Sequence, residues 1–293
     1  MLPYPLFYCK NKDTYPPFKN GLYLEEYFLK KILDEKPELK RKYIPLLWTN
    51  FQIEGWFQSR KNEMQTHLNQ WLHDNPSENG YFTLVQYDDG PLLNIPKNTI
   101  VYGACSGDIP IPLIYEDLNN TLINIPKKGF SEKKNLCSFI GNITSNHIQP
   151  NVRKVIKNTF EMNPKFVFYN SGGWTPSVSK NLQEEFINIT TNSKFALAPR
   201  GYGRSSFRFF ECFQLGTIPI YIWNDIDWLP FKNLIDYNKL CVNIHISQIN
   251  NLEQILESIT EDKYNNMMNY YYEIKHLFEL EGMSNQIIKE INS

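Results

Sequence analysis

The feature that most constrains this chain is a regular rhythm between Leu136 and Trp223. The order reads strand Leu136–Ile140, helix Val152–Phe160, strand Phe166–Tyr169, helix Ser179–Ile187, strand Phe195–Ala198, helix Ser206–Leu215, strand Ile218–Trp223. Strands alternating with helices predict a parallel sheet covered on both faces, because a parallel neighbour is reached only through a crossover. Such sheets take ligands at the loops leaving the carboxyl ends of their strands. Here those loops are Gly141–Pro150, Asn170–Val178, Pro199–Ser205 and Asn224–Phe231.

Upstream, Leu22–Asp34 and Lys61–His73 have helical periodicity, while Tyr43–Phe51 and Tyr81–Tyr87 read as buried strands. Ile100–Tyr115 adds strand and turn, and the tail Leu252–Ile291 reads as helices. The polar, turn-rich segment Ile125–Asn135 is a candidate linker. With 293 residues the chain suits two modest α/β domains, expected at residues 1–130 and 131–293.

Composition narrows the function classes. Thirty basic against 31 acidic residues leave a net charge of -1, so no global field draws the chain to nucleic acid, and a bound anion must be held locally. No apolar run reaches the length of a membrane span, and residues 1–20 lack the order of a signal peptide, which predicts a cytoplasmic protein. The five cysteines are an odd number without CxxC spacing, which argues against a disulfide framework or a zinc site.

The most informative stretch is Lys194–Asp225, a strand, a glycine-bearing loop, a helix and a second strand. Gly201 and Gly203 permit close backbone approach, and Ser205 or Ser206 can cap the helix, whose N-terminus favours negative charge. Arg200 and Arg204 share the loop. If the helix starts a residue or two early, Arg204, Arg208 and Glu211 fall on one stripe. Arginine forks suit a pyrophosphate, and Glu211 suits sugar or ribose hydroxyls or an arginine. Spacing alone leaves open a structural alternative, in which Arg208 and Glu211 pair and the glycines only turn the chain.

Pro199, Arg200, Gly201, Ser206, Arg208, Glu211, Gly216, Ile218 and Pro219 resemble the signature region of the exostosin-type glycosyltransferases. The similarity continues through Asp225, Leu229–Phe231 and Ile235–Tyr237 to Leu252–Leu256. Upstream, Gly141 and Asn142 followed by Arg153 resemble that family's strand-turn-Arg element, and Gly107–Pro112 its Asp-Val-x-x-Pro element. Tyr87–Gly90 stands where the family has His-Asp-Trp-Gly, and the histidine is missing. The resemblance implies a GT-B-like α/β fold of two facing Rossmann-like domains with parallel sheets and a helical C-terminal tail. It also implies a nucleotide-sugar donor, a uridine diphosphate sugar, held mostly by the second domain, a glycan or glycoconjugate acceptor held by the first, and inversion at the anomeric carbon.

Inversion needs a base for the acceptor hydroxyl. Asp88 and Asp89, directly after an apolar strand, rank ahead of Asp108 and Glu54, although an aspartate pair before Gly90 can equally build a turn. Asp225 and Asp227 have the DxD spacing of metal-dependent enzymes of another fold. With arginines beside the phosphates, no metal and no other cofactor is expected. His147 and Trp174 lie in candidate ligand loops. A rival function is a catalytically inactive relative that binds glycans or a partner enzyme, which the missing histidine keeps open. Binding of single-stranded nucleic acid is disfavoured by the neutral charge.

Overall fold

The computed structural model describes residues 1–9, 18–143, 151–172 and 178–293. Its contacts divide the chain into two units. One holds Leu22–Glu116 and His276–Ser293 with the start of the chain; the other holds Asp117–Lys275 with a short segment before Leu22. The sequence had suggested a single break at 130/131. The division instead falls between Glu116 and Asp117, and the last helix returns to the first unit.

The first unit carries strands β1 (Lys42–Tyr43), β2 (Tyr81–Val85), β3 (Thr99–Gly103) and β4 (Ile109–Pro110), parallel and paired in that order. Helices α1 (Leu24–Glu35), α2 (Trp48–Gln52) and α3 (Phe57–Asp74) flank them. Tyr43–Phe51 is not one strand. Pro45 has no N–H for the ladder, so the chain leaves the sheet after Ile44, whose N–H still donates to Phe82 O at 2.8 Å. The rest of that apolar run winds into α2 and buries Trp48 and Phe51 completely. Periodicity alone cannot separate a short buried helix from a strand.

In the second unit β5 (Asn135–Gly141), β6 (Phe166–Asn170), β7 (Ser193–Pro199), β8 (Ile218–Trp223) and β9 (Val242–His245) form a parallel sheet of order β6-β5-β7-β8-β9. Helices α4 (Val152–Phe160), α5 (Lys180–Thr191) and α6 (Phe207–Gln214) are the crossovers. Strands β7 and β8 are central and read as near-continuous apolar runs, with Phe195, Leu197, Ile220 and Ile222 fully buried. Helix α6 stops because Gly216 takes φ +70°, the left-handed conformation that closes a helix end. Strand β9 and α7 (Tyr237–Leu240), a single turn, escape the sequence reading because both are too short to show a period.

The tail is helical as expected: α8 (Leu252–Glu257), α9 (Glu261–Ile274) and α10 (Leu280–Asn292). In the second unit Tyr271 of α9 stacks on Phe213 of α6 at 4.5 Å, and the Tyr264 hydroxyl donates to Gly216 O at 2.9 Å. In the first, α10 packs on α1, where Lys31 bridges Glu281 at 2.8 Å and Glu35 at 2.7 Å. Among the described residues, no helix is long and apolar enough to cross a membrane.

Candidate functional site

The second unit gathers four arginines at the carboxyl ends of β5, β7 and β8. Arg200 directly follows β7, and its N–H donates to Ile222 O at 3.2 Å, so the strand pairing itself sets its direction. Its guanidinium is buried. One terminal nitrogen bonds Asn224 Oδ1 at 3.0 Å and pairs with Asp225 Oδ1 at 2.5 Å, and the other donates to Tyr202 O at 2.9 Å. Arg204 reaches the second carboxylate oxygen of Asp225 at 2.9 Å and lies 5.3 Å above the Trp228 ring. Burial alone would raise the Asp225 pKa. Hydrogen bonds from Arg200, the Ile226 N–H and Arg204 outweigh it and hold the carboxyl down at about 2. Its contribution to stability is therefore complete above the ordinary value of 3.8 and is lost only as pH falls toward about 2.

Arg153 comes from α4. Its guanidinium donates to Asn142 O at 2.9 Å and to Arg200 O at 3.3 Å, tying the β5 loop to the β7 loop. A Cβ at Gly201 would sit 2.8 Å from its terminal nitrogen, so a larger residue there would make the Arg153 guanidinium shift. A Cβ at Gly141 would likewise lie 3.1 Å from both terminal nitrogens of Arg208.

Arg208, in the first turn of α6, differs from its neighbours. Its guanidinium rests on two rings, 5.2 Å from the centroid of Phe139 and 5.6 Å from that of Phe186. Its buried Nε, like that of Arg200, has no hydrogen-bond partner among the described residues, but Arg200 and Arg204 are neutralised by Asp225. Ser206 is the N-cap of α6 by backbone conformation, but its side chain makes no capping bond, so the helix N–H groups are not closed by their own cap. Positive forks, an uncapped helix N-terminus and glycine-thin walls form an arrangement that can hold an anion with several oxygens.

The predicted donor residues Gly141, Asn142, Arg153, Arg200, Gly201, Arg204, Ser206, Arg208 and Glu211 thus all lie in one unit. Two details differ from expectation. The helix starts at Phe207, so Arg204 is a loop residue directed at Asp225 and does not share a helical stripe with Arg208. Glu211 is buried, with 6% of its surface exposed, where a residue facing an open crevice was expected. Asp225 and Asp227 do not act together either: Asp225 is held by arginines, and Asp227 pairs with Lys232 at 2.8 Å and accepts from Asn243 at 3.1 Å. The sequence reading missed Asp225 as the counter-ion of the arginines. Its place directly beyond β8, at the same sheet edge as Arg200, is the signal that could have found it.

In the first unit Asp88 and Asp89 are exposed in the turn after β2, which the Gly90 N–H closes on Tyr87 O at 3.1 Å, with Gly90 at φ +74°. Asp108 is structural, because its carboxylate accepts the Val101 N–H at 2.8 Å. Glu54 is half-buried just beyond α2. His147 and Trp174 lie outside the described residues. No sequence signal pointed to Glu25, a carboxylate completely enclosed at the carboxyl edge of this sheet.

The Exostosin GT47 domain matches residues 96–259, more than half of the chain, and that stretch contains the whole arginine cluster but neither Asp88 nor Asp89. A probable glycosyltransferase of Arabidopsis thaliana is 30% identical over 95 residues, 32% of this chain and 18% of that protein. An exostosin-1 homolog of Caenorhabditis elegans is 40% identical over 58 residues, 20% of this chain and 15% of that protein. The chain therefore matches less than a fifth of the length of these relatives. The solved structure of TarM superposes on 80% of this chain and 53% of its own at a TM-score of 0.42 and 11% identity. With the domain match covering the parallel sheet of the second unit and every arginine at its edge, the chain belongs to the exostosin GT47 family of glycosyltransferases.

Proposed function

We propose that this chain transfers a sugar from a nucleotide-diphosphate donor, a uridine diphosphate sugar, to a glycan or glycoconjugate acceptor with inversion at the anomeric carbon. The observation that carries the reading is Arg208, poised on Phe139 and Phe186 beside the uncapped N-terminus of α6 with its buried Nε unpartnered. In this reading Arg208 and the α6 N–H groups take the donor pyrophosphate and stabilise the charge that develops as the sugar departs. Arg153, Gly141, Asn142 and Gly201 shape the cradle, and Asp225 keeps Arg200 and Arg204 in place. Glu211 serves the sugar or ribose hydroxyls. Asp88, with Asp89 second, takes the proton of the acceptor hydroxyl.

A thermal-shift series over nucleotides and nucleotide sugars tests the donor, since a ligand at about a hundred times its dissociation constant adds roughly 2.7 kcal/mol of stability. No shift with any nucleoside diphosphate sinks the reading. A clear shift with no transfer or donor hydrolysis favours instead an inactive relative that binds glycans or a partner.

Metal independence is part of the proposal. Asp225, the first carboxylate of the DxD spacing, is already engaged by two arginines. Transfer is expected to survive EDTA. Loss on chelation with recovery on adding manganese would assign the phosphates to a metal.

A further inference from the structure

Glu25 is the most deeply enclosed carboxylate of the first unit, with 1% of its surface exposed. It stands in the first turn of α1 and joins two other elements. From α2, Thr49 gives its hydroxyl to Oε1 at 2.5 Å and its N–H to Oε2 at 3.0 Å. From the end of β2, the Gln86 N–H donates to Oε1 at 2.5 Å, while the Gln86 side-chain carbonyl accepts the Glu25 N–H at 3.3 Å. Gln86 is itself clamped, since its amide nitrogen donates to Ile114 O at 2.8 Å. Two residues beyond Gln86 is Asp88.

No cation pairs with Glu25 among the described residues, and the cluster offers it only neutral donors. A residue needed only for packing at such a place would be apolar or a neutral amide, because an enclosed unpaired charge is costly. We propose that Glu25 is a positioning residue, whose carboxylate grips the Gln86 and Thr49 N–H groups and so fixes how the turn after β2 presents Asp88 and Asp89. The proposal rests on reading Asp88 as the base.

Burial pushes the Glu25 carboxyl up from its ordinary 4.5 to about 7, against the hydrogen bonds from Thr49 and Gln86 that favour the charged form. The Glu26 charge on α1 pushes it further in the same direction. From β1 the enclosed Tyr43 feels the Glu25 charge, which helps to hold its phenol well above the ordinary range. Thr49 and Asn50 of α2 and Gln86 carry no charge, and Asp88 and Asp89 act on Tyr87. The sign follows. A raised folded-state value means that protonated Glu25 stabilises the fold below pH 4.5, and that this stabilisation is lost as pH rises through about 7. The carboxylate that grips the turn is thus held at a cost in stability, as at sites kept for function.

Two measurements test this. In wild-type protein, hydrogen-exchange protection of the Gln86 amide, corrected for intrinsic rate, is expected to rise between about pH 6 and about pH 8 while helix α9 stays flat. Unchanged Gln86 protection over that range overturns the proposal. In Glu25→Gln, kcat is expected to fall about tenfold and to lose its acid limb near neutrality, with donor KM unchanged and the melting temperature at pH 8 not below wild type. Glu25→Asp, which keeps the charge, should retain the acid limb. A Glu25→Gln enzyme with the wild-type kcat and pH profile overturns the proposal, as does one that loses only stability. If wild-type protein transfers no sugar at all, the Asp88 reading falls, and the Gln86 amide alone still decides whether Glu25 holds the turn.

Discussion

Asp88→Asn is expected to lower sugar transfer by about a hundredfold or more while leaving donor affinity unchanged. The change is nearly isosteric, and backbone atoms of the turn are held by bonds of their own. Gly90 N–H closes it on Tyr87 O, and Gly90 O accepts from Gln52 Nε2 at 3.0 Å. Loss of turnover without loss of fold would therefore report the proton and not the packing. Asp89→Asn should show the smaller loss. Asp108→Asn is the contrasting control, because its carboxylate holds the Val101 N–H and its replacement should cost about 1 kcal/mol of stability before it costs turnover. Donor-dependent thermal shift and single-turnover transfer on the four variants, Glu54→Gln included, decide the matter. Transfer by Asp88→Asn at the wild-type rate, with Asp108→Asn or Glu54→Gln inactive, would overturn the ranking. Activity in all four would move the base elsewhere, with His147 next to test.

Arg208→Ala is expected to weaken nucleoside diphosphate binding by about ten- to a hundredfold, the span of one or two charge-assisted hydrogen bonds. It should cost only about 1 kcal/mol in stability, the scale of a guanidinium resting on aromatic faces. Arg208→Lys should fall between, since lysine keeps the charge but not the planar fork. Glu211 is enclosed, so Glu211→Gln is the informative variant there, keeping the volume while removing the charge. An Arg208→Ala protein that melts normally and shifts with nucleoside diphosphate as strongly as wild type would remove Arg208 from the donor site. The arginines held by Asp225 make a useful comparison. Arg200→Ala would strip that carboxylate of one of its two cations, and its loss should appear in stability as well as in binding.

Much of the second unit was legible in the sequence because its elements are long enough to show their period. Val152–Phe160 and Ile218–Trp223 have the predicted bounds, and the arginine loop lies at the expected edge of a parallel sheet. Family resemblance and local pattern agreed there, since both depend on residues close together in the chain, from Pro199 to Pro219. The first unit was less legible. The run from Tyr43 to Phe51 is apolar but for Thr49 and Asn50, and Pro45 and the burial of Trp48 and Phe51 accompany its turn from strand to helix.

What the sequence determined by itself was therefore the α/β class, the parallel sheet and the identity of the arginines. These follow from hydrophobic period and from glycine and arginine chemistry, which act over a few residues. What only the tertiary structure decided was pairing: that Asp225 neutralises Arg200 and Arg204 but leaves Arg208 to two aromatic rings, and that Glu25 grips the Gln86 amide. Those partners are brought together only when the sheets form, and with an enclosed charge the partner that arrives, or fails to arrive, sets the chemistry.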